Sequence, residues 1–184
     1  MTALSGTDIV LGVSGSVAAY KAAEVARRLG DAGARVTVIL TAGAQRFITP
    51  LTFTAITGRP ALTDPFALHD GTMPHLDLAK KAAAVLVAPA SANLLARLAA
   101  GLADDLLTSV LLATRAPVFL APAMHEPMWT HPATSRNIET LRGFGHRVLG
   151  PAKGGLASGD HGVGRLLEPE AIISEVVRAL TAAK

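Results

Sequence analysis

The sequence predicts a doubly wound α/β domain in three layers, with a parallel sheet between two sets of helices. Apolar runs of strand length alternate with stretches whose apolar residues recur at helical spacing. The strand runs end in small or hydrogen-bonding residues, as expected where an α/β sheet binds ligands outside its carboxyl edge. Nothing between Met1 and Lys184 reads as a linker, so residues 1–184 form one expected domain.

The first strand is expected at Asp8–Val13, and the helix after it at Val17–Leu29. A second strand, Arg35–Leu40, precedes a helical pattern at Leu51–Thr57. The third strand, Ala84–Ala88, leads into helices at Asn93–Ala100 and Ala103–Ala113. The fourth, Pro117–Ala121, is followed by a helix at Ala133–Gly143 and a weaker strand at Arg147–Leu149. Four strand ends are therefore the places to search for a site: Ser14-Gly15-Ser16, Thr41-Ala42-Gly43, Pro89 to Asn93, and Pro122 to His125.

Composition narrows the function classes. Lys and Arg number 17 against 14 Asp and Glu, and the +3 balance is scattered rather than gathered into a basic stripe with aromatics, so nucleic acid is not an expected partner. With no cysteine there is no disulfide, thiolate nucleophile or Cys-based metal site, and no metal is expected. The N-terminus lacks a basic region followed by a long apolar one, and no apolar run is long enough to cross a bilayer. A cytoplasmic protein without a membrane partner is the expectation. Half the residues are hydrophobic and only 17% are charged, against about a quarter in a typical domain, which points to apolar surface covered by another subunit.

The turn Ser14-Gly15-Ser16 is expected at a helix N-terminus, where free N–H groups and the helix dipole favour an anion such as phosphate. The same residues also suit a plain turn with an N-cap. Gly12 and Gly15 do not make G-x-G-x-x-G, and Lys21 lacks the Walker spacing, which removes most support for NAD or ATP. A mononucleotide phosphate held by N–H groups and hydroxyls stays open.

Taken together the segments are more specific. GVSGSVAAYK, the spaced Thr41, Ala44 and Phe47, MPHLDLAKKA around His75, PASAN, PAMHEPMW and SGDHGVGRLLEP occur in this order. From about Asp8 to Ile173 the chain resembles the homo-oligomeric flavin-containing cysteine decarboxylases. That family includes phosphopantothenoylcysteine decarboxylase of coenzyme A synthesis and the peptidyl-cysteine decarboxylases of lantibiotic-like peptide biosynthesis. The resemblance implies a flavodoxin-like fold, FMN held without a covalent bond, and active sites shared in a trimer or a multiple of one such as a dodecamer.

By the same resemblance, Ser14, Gly15, Ser16 and Val17 take the FMN phosphate. Thr41, Phe47, Ser91, Ala92 and Asn93 line the cofactor, and Ala123 and Met124 lie beside its ring. His75 matches the family's essential histidine, able to take the thiol proton or to hold an anion. His125 stands where the family usually has Asn; it is expected to bind the substrate carboxylate and to share in catalysis, without an amide's paired donor and acceptor. Met128, Ser158 and Arg165 are the other expected substrate contacts, the last two in a glycine-rich stretch that reads as a flexible loop.

The implied chemistry oxidises the cysteine side chain at the flavin before carbon dioxide leaves. Ser158 stands where the coenzyme A branch usually carries a cysteine that protonates the enethiol, and a hydroxyl is a far weaker acid. With the absence of a fused synthetase segment, this makes oxidative decarboxylation of a precursor peptide's C-terminal Cys to an aminoenethiol the first expectation. Phosphopantothenoylcysteine decarboxylation is the alternative, and a catalytically silent flavin-binding subunit the third reading.

Overall fold

The structure, a computed structural model, describes residues 2–67, 71–157 and 159–182. Its centre is a parallel sheet of five strands in the order β2-β1-β3-β4-β5: β1 is Asp8–Val13, β2 Arg35–Leu40, β3 Ala84–Ala90, β4 Val118–Pro122 and β5 Arg147–Val148. β3 and β4 are buried along their whole length, as strands covered on both faces must be.

Alternate residues of β1 serve the two layers. Ile9, Leu11 and Val13 join a core with α1 (Ala19–Asp31), Phe53 of α2 (Pro50–Thr57), and Ile172 and Val176 of α8 (Pro169–Thr181). Val10 faces the other core, with Leu94, Leu95 and Leu98 of α4 (Ala92–Ala99), Leu106 to Leu111 of α5 (Leu106–Ala113), and Ile138 and Leu141 of α7 (Pro132–Gly143). Gly12 allows this second layer its closeness: a Cβ there would lie 2.5 Å from a Leu107 methyl. α3 (Pro74–Lys81) and the short α6 (Glu126–Trp129) complete the helices.

Helix boundaries follow local chemistry. The expected helix from Ala103 starts at Leu106, because the Asp105 carboxylate accepts from Thr108 N at 2.8 Å while Thr108 Oγ1 receives Asp105 N, a reciprocal cap. The first helix begins at Ala19 rather than Val17, since residues 15–18 make the turn. α3, α6 and α8 are additions to the sequence reading.

The largest difference is the glycine-rich segment expected as a flexible loop. It is an antiparallel hairpin of β6 (Ala152–Gly155) and β7 (His161–Arg165), a separate two-stranded sheet. Its glycines permit close packing: a Cβ on Gly162 would strike the Glu126 carboxylate at 2.1 Å, and Gly164, at φ +146°, passes against the Met124 carbonyl. Met124 N donates to Gly164 O at 2.9 Å, and Val163 N to Glu126 Oε1 at 3.2 Å, fixing the hairpin to the segment after β4. Ser158 lies outside the described residues. Among those described, no helix is long and apolar enough to cross a membrane.

Candidate flavin site

The sheet reverses its winding between β1 and β3, and there the carboxyl edge opens. Ser14, only 1% exposed, bridges the two strand ends: its hydroxyl donates to Pro89 O and accepts from Ser91 N, both at 2.8 Å. Both hydroxyl functions are thus used in holding the opening together, and Ser14 contributes by placing its neighbours. Thr41 has a similar internal duty, with Oγ1 accepting from Ala44 N at 3.2 Å.

The N–H groups of Gly15, Ser16 and Val17 donate no hydrogen bond among the described residues. They lie just before α1, a helix of 13 residues without an acidic side chain in its first turn. Unmet donors with the positive end of a helix dipole behind them suit a phosphate. Ser16 Oγ reaches across to Ala123 O at 3.3 Å and so ties this turn to the end of β4.

Beside the turn lies a cleft of about 530 Å³. Val17, Met124, Leu156 and Leu166 give it apolar walls, Tyr20 contributes a ring, and Lys21, His125 and Arg165 bring nitrogen to its rim. An anion cradle joined to an apolar cleft fits a phosphorylated, flat aromatic cofactor. Among the described residues no cluster of three or more His, Asp or Glu could hold a metal.

Of the expected site residues, Ser16, Val17, Ala123, Met124, His125 and Arg165 line this cleft. Gly15 sits in the turn beneath it. Ser91 caps α4 by accepting from Leu94 N at 3.4 Å; Ala92 opens that helix, and Asn93 follows exposed. Phe47 and Met128 are both exposed, at 56% and 49%, and neither lines the cleft. His75 is half-buried in the first turn of α3, a helix that packs on α5, and it too is outside the cleft lining of its own protomer.

Sequence reading missed the acids that organise this rim. His125 Nε2 is 3.1 Å from Asp160 Oδ2. Glu168 takes Lys21 Nζ at 3.1 Å and also pairs with Arg165. The Lys21 hydrogen bond, aided by Arg165, holds the Glu168 carboxyl below the usual carboxylate range. Glu126 anchors β7. The only sequence signal for these acids is their nearness to residues already singled out.

The winding, the cradle and the cleft define a flavin-binding α/β protein. The chain belongs to the Flavoprotein family, whose sequence model matches residues 1–181. It is 50% identical over 177 residues to the coenzyme A biosynthesis bifunctional protein CoaBC of Vibrio cholerae, covering 95% of this chain and 44% of the relative. The same-named protein of Mycobacterium tuberculosis is 54% identical over 165 residues, covering 90% of this chain and 39% of the relative. The chain thus spans less than half the length of these curated relatives.

Two solved structures share the fold nearly end to end. A cysteine-to-serine mutant of PPC decarboxylase complexed with pantothenoylaminoethenethiol matches at a TM-score of 0.85 and 31% identity, over 97% of this chain and 99% of that one. The FMN-dependent cysteine decarboxylase SpaF matches at 0.84 and 32%, over 98% of each.

Proposed function

We propose that the protein is an FMN-dependent decarboxylase of phosphopantothenoylcysteine, acting in coenzyme A synthesis. One observation carries this reading: half the residues are shared with CoaBC proteins along almost the whole chain. It reverses the order expected from sequence, where the peptidyl-cysteine reaction came first. The similarity to SpaF keeps a C-terminal peptidyl cysteine as the second reading, in which the product stays an enethiol.

The N–H groups of Gly15 to Val17 hold the FMN phosphate, while Val17 and Met124 give its ring system apolar support. When bound, FMN would supply an acceptor that takes two electrons from the cysteine side chain before carbon dioxide leaves and returns them to the decarboxylated carbons afterwards, so that the net change is loss of carbon dioxide alone. His125 and Arg165 receive the substrate carboxylate at the rim of the largely apolar cleft.

His75 takes the thiol proton. It does so in the cleft of a neighbouring copy, because its own protomer leaves it outside, and exposed apolar groups such as Phe47, Leu51 and Tyr20 provide surface for that association. A homotrimer, or a multiple of one, is the assembly that follows.

The test is the product mass. Incubation with phosphopantothenoylcysteine is expected to yield a product lighter by carbon dioxide alone. Turnover of a Cys-ended peptide only, with loss of two further hydrogens, would overturn the proposal in favour of the second reading.

A further inference from the structure

His125 stands between two residues that are each tied to the β6–β7 hairpin. Met124 N donates to Gly164 O at 2.9 Å, and the Glu126 side chain receives Val163 N through Oε1 at 3.2 Å. His125 precedes α6 and its side chain takes no part in capping that helix, so the main chain on either side decides where the imidazole emerges. On the hairpin, Arg165 follows two residues after Val163, and His125 and Arg165 both line the cleft. One backbone bond and one side-chain bond therefore set how far apart these two rim groups stand.

The side-chain bond depends on a seat with no room to spare. The three nearest neighbours of a Cβ added to Gly162 would all be carboxylate atoms of Glu126: Oε2 at 2.1 Å, Cδ at 2.6 Å and Oε1 at 3.1 Å. Gly162 lies outside the left-handed backbone region, so its lack of a side chain serves this seat rather than a turn. A methyl group there would drive out the carboxylate, which is the free end of a flexible side chain.

We propose that Glu126 is a positioning residue for this site: seated on Gly162, its carboxylate holds β7 against residues 124–126 and so keeps His125 and Arg165 at the spacing that receives a substrate carboxylate. Glu126 is not among the residues lining the cleft and acts through those two groups. The inference deepens the reading of the cleft as a cysteine-conjugate site and rests on it. Two consequences separate it from ordinary packing. Val163 N needs an acceptor oxygen, which an amide also offers, so the negative charge is not required. Filling the seat and removing the acid are also the same event, so their effects do not add.

The experiment uses FMN-loaded protein. Hydrogen exchange in residues 159–166 is read by mass spectrometry, and kinetics with whichever of phosphopantothenoylcysteine and a Cys-ended peptide is turned over. Glu126→Ala is expected to speed that exchange by about tenfold or more and to raise KM about three- to tenfold, with kcat held within about twofold. Glu126→Gln is expected to keep wild-type exchange and KM. Gly162→Ala is expected to match Glu126→Ala, and the double variant to be no worse than either. Unchanged exchange or KM in Glu126→Ala, the same losses in Glu126→Gln, or additive losses in the double variant would each overturn the inference. A fall in kcat with KM unchanged would also overturn it. Exchange needs no substrate, so the two failures are told apart: expected exchange without turnover of either conjugate defeats the cysteine-conjugate reading, and the positioning role with it.

Discussion

Gly15 and Gly43 meet backbone to backbone: a Cβ on Gly15 would lie 3.1 Å from the carbonyl carbon of Gly43 and 3.2 Å from its Cα. The turns after β1 and β2 rest on each other at this point, directly below the anion cradle. Gly15 is therefore required by its protein neighbour as well as by any phosphate above it. Gly15→Val is expected to lose FMN during gel filtration and to be destabilised by about 1–3 kcal/mol, the usual scale of overpacking. A Cβ on Gly43 meets Gly15 only at 3.4 Å, an ordinary contact, so Gly43→Ala should keep its flavin. Full FMN occupancy in Gly15→Val would contradict the assignment of the cradle.

Ser14 offers a separate test of the same edge. Ser14→Ala removes a buried donor and acceptor at once, stranding Ser91 N while Pro89 O keeps the bond from Ser14 N at 3.2 Å. Unfolding in urea is expected to show a loss of about 1–3 kcal/mol, the cost of stranding such groups. A loss below a few tenths would mean that water replaces the hydroxyl.

His75 divides cofactor binding from turnover. His75→Asn is expected to retain FMN while turnover falls by roughly 10²-fold or more, the scale for removing a positioned acid–base group. If the sites are shared, mixed assemblies of His75→Asn with a Gly15→Val protein regain activity in those sites that draw an intact cradle from one copy and an intact His75 from another. Wild-type turnover in His75→Asn would remove it from the mechanism.

Stability should fall in two legs as the pH is lowered. Burial depresses the pKa of His146 from the ordinary value of 6.5, so its unfolded form takes a proton first and stability declines as pH falls below that value. The hydrogen bond of Asp8 to Arg35 and that of Glu168 to Lys21 hold both carboxyls below their ordinary values of 3.8 and 4.5. Their contribution is intact above those values and is lost as pH falls through the depressed ones. Urea midpoints measured from pH 7.5 to 3 are expected to show a shallow fall, then a steeper one. His146→Gln should flatten the first leg alone.

Most of the sheet was legible because its signal is local. The five strand runs and the helices after β1, β2, β3 and β4 carry their own periodicity, and the structure leaves β1 and β2 where they were expected and moves the other ends by at most three residues. The hairpin escaped because Gly154, Gly155, Gly162 and Gly164 have no side chains with which to show a strand's alternation. α3 has only eight residues, and just Pro74 and Ala79 are buried, too few to display a face. In the site, Ser16, Ala123 and Met124 were visible as strand ends, but Val17 and His75 drew attention only through resemblance. Asp160 and Glu168 are ordinary surface acids until folding brings them to His125, Lys21 and Arg165.

The β6–β7 hairpin shares no ladder with the five-stranded sheet, and its glycine-rich strands meet the body chiefly through Met124 and Glu126. It is an interchangeable part. Residues 152–165 could be exchanged for the corresponding hairpin of a relative with a different substrate, leaving the anion cradle and both hydrophobic layers as they are. On the proposed reading, the wall that the hairpin gives to the cleft can therefore diverge faster than the turn that holds the flavin, and one scaffold could serve cysteine conjugates of quite different size.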